Sequence, residues 1–181
     1  MEDTVSKAKC GDREAFLKLL ESRLDVLYKI AYSYFKNKDE ACDAVQDCIL
    51  IAYKNIRNLK DDTKFNSWIT SILVNRCRDM LRRSKKISFE EYSDASVINH
   101  CHTDECSNAE TNIDILNSLQ CLDDIYRDVI TLKYLSDHSI AEISSILKIP
   151  EGTVKSRLNS GLKKLRSNME VKSDGLQSCT R

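Results

Sequence analysis

Ser139-Ile140-Ala141-Glu142-Ile143-Ser144-Ser145-Ile146-Leu147-Lys148-Ile149-Pro150-Glu151-Gly152-Thr153-Val154-Lys155-Ser156-Arg157-Leu158 carries two helical periods with a break between them. A short amphipathic helix ends at Lys148–Pro150, and a second helix opens on hydroxyl and basic groups. This is the pattern of a helix-turn-helix, whose second helix lies in the major groove with its first residues against base edges. The expected buried set is Ile140, Ile143, Ile146, Leu147, Ile149, Val154, Leu158, Leu162 and Leu165. Glu151, Thr153, Lys155, Ser156, Arg157, Asn159, Ser160, Lys163 and Lys164 are left outside. Thr153 offers a hydroxyl where the second helix begins, and Gly152 permits close backbone approach. Lys155 and Arg157 can reach phosphates or guanine edges. The plain alternative is a helical hairpin with a charged face.

Upstream, Ile113, Leu116 and Leu119, then Ile125, Val129, Ile130, Leu132 and Tyr134, form two further stripes that would support this motif. Between Asp12 and Asn37, Phe16, Leu19, Leu20, Leu27, Ile30, Ala31 and Tyr34 recur at steps of three and four. They read as one long helix, or as two with a break near Ser22. A second helix spans Asp39–Ile56 on Ala41, Val45, Cys48, Ile49, Ala52 and Ile56, with Asp39 and Glu40 at the positive end of its dipole. A third spans Phe65–Lys85, with Phe65, Ile69, Ile72, Leu73 and Met80 facing inward and Trp68 packed beside Phe65.

Two outward faces stand out. Asp43, Gln46, Asp47, Leu50 and Lys54 share one face of the second helix. That face is either a solvated surface with one stray leucine or a docking face for a basic protein. On the third helix, Ser71, Asn75, Arg78, Asp79, Arg82 and Lys86 share a side, and an Asn among basic groups suits phosphate plus base-edge contacts. The polar loop Arg57–Lys64 before it can hold an unstacked base through amide and hydroxyl hydrogen bonds.

The chain has 181 residues, with 28 Lys+Arg against 28 Asp+Glu, so a DNA-binding role requires the charges to be segregated. They are: Arg76, Arg78, Arg82, Arg83, Lys85 and Lys86 meet only Asp79, and residues 87–111 then hold six acidic groups and no Lys or Arg. One proline and four glycines leave little material for tight-turned strands. The expectation is therefore an all-α fold: an N-terminal helical bundle (1–86), a flexible acidic linker (87–111), a C-terminal helix-turn-helix domain (112–170) and a disordered tail (171–181). Neither a leading signal segment nor a long apolar run is present, so no membrane insertion and a cytoplasmic location are expected.

Eight cysteines are many for that compartment, but without an export signal a secreted disulfide framework is not expected. Cys42, Cys48, Cys77 and Cys121 read as small buried hydrophobes. Cys10, Cys101, Cys106 and Cys179 fall in loops or tails. His100-Cys101-His102…Cys106 has soft-ligand chemistry, but its spacing matches no paired-ligand pattern and little apolar material surrounds it, so no metal and no cofactor are expected. No Gly-rich phosphate loop and no nucleophile–His pair points to an enzyme.

Four segments in order, Asp39-Glu40-Ala41-Cys42-Asp43-Ala44-Val45-Gln46-Asp47, Phe65-Asn66-Ser67-Trp68-Ile69, Asn75-Arg76-Cys77-Arg78-Asp79 and Gly152-Thr153-Val154-Lys155-Ser156-Arg157-Leu158, resemble the extracytoplasmic-function (ECF) group of sigma-70 family sigma factors. The resemblance spans about residues 10–168. It implies that the first domain binds core RNA polymerase at the β′ clamp helices through Asp43, Gln46, Asp47 and Leu50. It also implies that Asn58, Leu59, Lys60, Lys64, Asn75, Arg78, Asp79 and Arg82 recognise and melt the −10 element. Gly152, Thr153, Lys155, Ser156, Arg157, Ser160 and Lys163 would read the −35 element of promoter DNA. The polymerase β flap and an anti-sigma factor are implied as further partners, and the acidic linker would run toward the RNA exit path.

The chain departs from the family pattern at Cys42 (commonly Glu), Leu59 (often aromatic), Lys148 (usually Gly), and Ser160 and Leu162 (frequently Arg). The competing reading is a free-standing helix-turn-helix regulator whose N-terminal half senses a ligand or dimerises.

Overall fold

A computed structural model describes residues 2–35, 37–91, 119 and 121–177, with backbone alone for 85–91 and 168–177. Every regular element among the described residues is helical, and the chain divides into two compact units, Met1–Ser107 and Asn108–Arg181. The expected stripe residues Ile113 and Leu116, the linker beyond Glu91, the His100–Cys106 cluster and Cys179 lie outside the described residues.

The N-terminal unit opens with α1 (Glu2–Lys9), a helix that periodicity did not reveal because only Val5 and Ala8 turn inward. Asp12 then caps α2 (Arg13–Glu21) by accepting from the Ala15 N–H at 3.0 Å. Of the two readings of 12–37, the broken one holds, and the break falls at Ser22. Arg23 N–H turns back to the Leu20 carbonyl at 2.7 Å, the Ser22 hydroxyl donates to Leu19, and α3 (Leu24–Phe35) follows. The stripe stays continuous across this break because both helices bury it in one core.

Asn37 caps α4 (Lys38–Asn55) with bonds to the Asp39 and Glu40 N–H groups. Two 3₁₀ turns, Ile56–Asn58 and Asp62–Lys64, lead into α5 (Phe65–Glu91). Ala41, Ala44, Cys48 and Ala52 are small and buried, which brings α4 close to the fully buried Leu27, Ile30, Phe65, Ile69 and Leu73. Ile72 and Met80, expected inside, are only half-buried at the edge of this core. Of the four cysteines assigned to the interior, Cys48 and Cys77 are buried, whereas Cys42 and Cys121 are exposed. Burial pushes the Cys48 thiol up to about 12, so it packs as a hydrophobe.

The C-terminal unit is built from α6 (Asp124–Tyr134), α7 (Ile140–Leu147) and α8 (Glu151–Gln177). Val129, Leu132, Ile143 and Val154 are fully buried at its centre. Arg127 is buried with them, and its guanidinium donates to the Leu119 and Leu122 carbonyls (3.3 and 2.6 Å) and to Asp124 (2.7 Å). It thereby supplies a donor to the Leu122 carbonyl and joins the Leu122 N–H on the Leu119 carbonyl, closing the chain ahead of α6. Where α8 crosses α6, Gly161 is buried. A Cβ there would lie 2.8 Å from Ile130 Cδ1 and 3.1 Å from Tyr126 Cβ, so the crossing depends on a residue without a side chain. Ile125, Tyr134 and Leu162, all placed in the core by periodicity, are exposed. Helix α8 also runs to Gln177, into the stretch 171–181 expected to be disordered. Its packed first half supplies a nucleus from which Glu170, Lys172 and Leu176 extend it cheaply. No helix among the described residues is long and apolar enough to cross a membrane.

Candidate nucleic-acid interface

The outer face of α4 carries Asp43, Gln46 and Leu50 as exposed side chains, with Leu50 57% exposed. Asp47 behaves differently. Arg76 of α5 directs Nε and Nη2 onto its Oδ2 at 2.7 and 2.5 Å, so this carboxylate clamps α4 to α5. Arg76 is correspondingly withdrawn from the free basic face. Beside Leu50, an open groove of about 320 Å³ is lined by Phe16, Leu17, Leu20, Ile49 and Tyr53, with Arg13 also on its wall. Leu17 and Tyr53 are nearly half exposed, and Tyr53 meets Phe16 edge-on at 5.2 Å between ring centroids. The leucine that looked stray from sequence thus belongs to an apolar patch shared by two helices. Leu17 sits off the α2 stripe, which was the available hint.

The loop joining α4 and α5 exposes Asn58, Lys60, Thr63 and Lys64. Its shape is set locally by Asp61, which accepts from the Thr63 hydroxyl (2.5 Å) and N–H (3.0 Å) and pairs with Lys64 at 3.3 Å. The Thr63 hydroxyl, more than the Lys64 ammonium, holds the Asp61 carboxyl below its ordinary value. Leu59 does not belong to this surface. It is 6% exposed, because the turn Ile56–Asn58 folds it inward, and its N–H closes that turn on Ile56.

On α5, Asn75, Arg78, Asp79 and Arg82 follow at i, i+3, i+4 and i+7, so they share a side. Asn75 and Arg82 are exposed, Arg78 and Asp79 half-buried, and Asp79 holds the Arg82 guanidinium at 2.7 Å. The basic face is therefore oriented, with one acid fixing one arginine. Trp68, expected in the core, is half-buried, with its ring 6.1 Å from that of Phe65.

In the C-terminal unit the helix-turn-helix has well-formed ends. Ser139 and Glu142 form a reciprocal capping box at the start of α7. Lys148 ends that helix at φ 55°, ψ 45°, left-handed geometry in a residue with a full side chain. Pro150 then presents its carbonyl to the Thr153 and Val154 N–H groups at 2.9 and 3.1 Å, which starts α8 directly after the turn. Gly152, Lys155, Ser156, Asn159, Ser160 and Lys163 are exposed and follow helical spacing along one side. Thr153 and Arg157 are half-buried at its margin. Asn159, placed outside by periodicity but not singled out, stands in the middle of this row, where an amide suits an adenine edge. Beyond its chain neighbours and the helix's own backbone, nothing lies within 4 Å of a Cβ built on Gly152, so open space lies above the helix there.

No group of three or more His, Cys, Asp or Glu side chains among the described residues could hold a metal. The geometry supports binding on three faces.

Two family models match the chain in order: Sigma-70 region 2 over residues 19–87, and Sigma-70, region 4 over residues 113–165. The ECF RNA polymerase sigma factor SigW of Bacillus subtilis is 32% identical over 179 residues, covering 91% of this chain and 94% of that one. SigM of Mycobacterium tuberculosis is 31% identical over 147 residues, covering 81% and 73%. Among solved structures, CnrH in complex with the cytosolic domain of CnrY shares the fold at TM-score 0.71 and 21% identity, over 94% of this chain and 97% of that one. The sigma factor RpoE of Bartonella quintana, solved with the anti-sigma factor NepR, does so at TM-score 0.70 and 23% identity, over 86% and 97%.

Proposed function

Because the chain belongs to the ECF sigma factors of the sigma-70 family, we propose that its three exposed faces divide the work of starting transcription among polymerase, −10 DNA and −35 DNA. The protein is an RNA polymerase sigma factor that directs promoter recognition and initiation in stress-responsive transcription. Asp43, Gln46 and Leu50, extended by Leu17 and Tyr53, form the face for the β′ clamp helices. Asp47 supports that face from its bond to Arg76.

Asn58, Lys60, Lys64, Asn75, Arg78 and Arg82, with Asp79 aligning Arg82, bind and melt the −10 element. A flipped base seated on the loop would offset part of an unpairing cost of about a few kcal/mol. Gly152, Thr153, Lys155, Ser156, Asn159, Arg157, Ser160 and Lys163 read the −35 element, and the same unit (112–170) meets the β flap across the linker, whose expected first residues, 87–91, continue α5 instead. The protein supplies binding energy and no catalytic group, acts in the cytoplasm, and is held in check by an anti-sigma factor that covers its polymerase-facing surface. Partner-bound complexes are known for CnrH and RpoE, which share its fold.

The observation that carries this reading is the order of the matches. Region 2 falls on the unit with the acidic–apolar α4 face and basic α5, and region 4 falls on the helix-turn-helix. A free-standing regulator would have no use for the first pair of surfaces. The test is in vitro transcription with core polymerase and a genomic library. Discrete start sites should require the chain, and the double variant Asp43→Ala/Gln46→Ala should weaken core capture while helix content stays unchanged. Absence of RNA, together with stable operator binding by a dimer of the chain alone, would reject it.

A further inference from the structure

Helix α1 lies outside the residues matched to Sigma-70 region 2, which begin at 19, yet its end grips the loop assigned to the −10 element. Lys9 Nζ donates to Asp62 Oδ1 at 2.7 Å across 53 residues of sequence. The two side chains are only 26% and 25% exposed, so the pair is sheltered from much of the solvent screening that weakens surface ion pairs. Asp62 opens the second 3₁₀ turn, Asp62–Lys64.

Two residues after Lys9, Gly11 turns at φ +101°, and a Cβ built there would stand 3.5 Å from Arg57 Nη2 of the first 3₁₀ turn. The α1 terminus itself is closed by Cys10, Gly11 and Asp12 N–H bonds back to Lys7 and Ala8 carbonyls, and Val5 and Ala8 anchor the helix in the core. A rigid helix end therefore touches the turns on both sides of residues 59–61. The loop's other bonds are local: Leu59 to Ile56, Lys64 to Asp61, the Asp61–Thr63 pair, Asn58 to Asn55, and the Phe65 N–H and Ser67 hydroxyl to the Asp62 and Lys64 carbonyls. Those bonds join the loop to the helix ends next to it in sequence and Leu59 anchors its base in the core, whereas the Lys9–Asp62 pair ties its exposed second half to α1, 53 residues away in sequence.

We propose that Lys9 is a positioning residue for promoter melting: through Asp62 it holds the Asn58–Lys64 loop where an unpaired −10 base is received. The proposal rests on the assignment of that loop to the −10 element. Preorganising a receiving loop strengthens capture because less ordering has to accompany it, and it sharpens the choice between bases because base-specific contacts are made only when the loop's donors and acceptors are held in place.

The test uses the full chain in holoenzyme with core polymerase. The probe is a single-stranded oligonucleotide carrying the non-template −10 segment of a promoter on which the wild-type holoenzyme starts RNA, and its versions with each base replaced. Lys9→Gln and Lys9→Asp should lower the preference for the native over the replaced base about fivefold, or about 1 kcal/mol, while core affinity and helix content hold. Lys9→Asp/Asp62→Lys should recover most of it, and Lys9→Arg should keep it. Unchanged preference in Lys9→Gln and Lys9→Asp overturns the proposal. So does a loss of preference that tracks lost helix content and is not recovered by the charge swap. An Asn58→Ala/Lys60→Ala variant separates the two levels. If it alters preference and the Lys9 variants do not, only the brace is wrong; if it too leaves preference unchanged, the loop assignment falls and the brace with it.

Discussion

Replacing Lys148 by glycine should stabilise the helix-turn-helix. The residue ends α7 at φ 55°, ψ 45°, where an L side chain costs about 1–2 kcal/mol that glycine does not incur. Its N–H and that of Ile149 both donate to the Ser144 carbonyl, the latter at 3.2 Å, and the Ser144 hydroxyl donates to the Ile149 carbonyl at 2.6 Å. None of these bonds needs the lysine side chain, which is exposed, so Lys148→Gly keeps the turn intact. Against the relief stands the greater entropy that glycine loses on folding, about 0.5–1 kcal/mol. The net gain is about 0.5–1 kcal/mol, which slows amide exchange through opening of the unit about two- to fivefold.

Hydrogen exchange read by mass spectrometry on α7 and α8 peptides measures this unit directly in the full chain. A thermal melt should shift upward by about 3–6 °C for a unit of this size. Lys148→Ala is the control, since it removes the amine and keeps the strained backbone. Exchange in Lys148→Gly as fast as in wild type, or an equal gain in Lys148→Ala, would refute the argument from backbone strain.

Two further outcomes are expected. Asp47→Ala should cost about 1 kcal/mol in urea denaturation by leaving Arg76 without its carboxylate, whereas Asp43→Ala should leave stability unchanged, so the two acids separate into support and contact. Burial tends to raise the Glu142 carboxyl, but the Ser139 N–H and hydroxyl, with His138 nearby, hold it below its ordinary value of 4.5. A depressed folded-state value contributes stability above the unfolded value and loses it as pH falls through the folded one. Glu142→Gln should therefore be less stable than wild type at neutral pH, with the gap closing on acidification; a gap that persists in acid would show that the carboxylate charge is not its source.

Helical periodicity identified α4 to within one residue at each end and placed the first residue of α5, because both helices bury a continuous stripe on one side. It also found the helix-turn-helix, where spacing, the Ser139–Glu142 box and Pro150 all act locally. The exposed side of α8, which we propose for the −35 element, was legible for the same reason; Asn159 was placed on it but looks like any solvated polar residue until the whole side of α8 is seen together. Helix α1 was too short to leave a pattern.

The remaining differences are matters of distance in space. Whether Leu59 meets solvent or the core depends on how two 3₁₀ turns fold back on the bundle. Whether Asp47 faces a partner or Arg76 depends on an α4–α5 contact 29 residues apart in sequence. That Leu50 joins Leu17 and Tyr53 in one groove follows from α2 lying against α4. Order along the chain, helix type and the sign of each face are written in the local pattern, since propensity, capping and amphipathicity act within a turn or two. Which charges remain free to bind, and which are used up holding helices together, is decided only when separate helices pack. An ion pair exists between places, and a one-dimensional pattern carries no record of which places will meet.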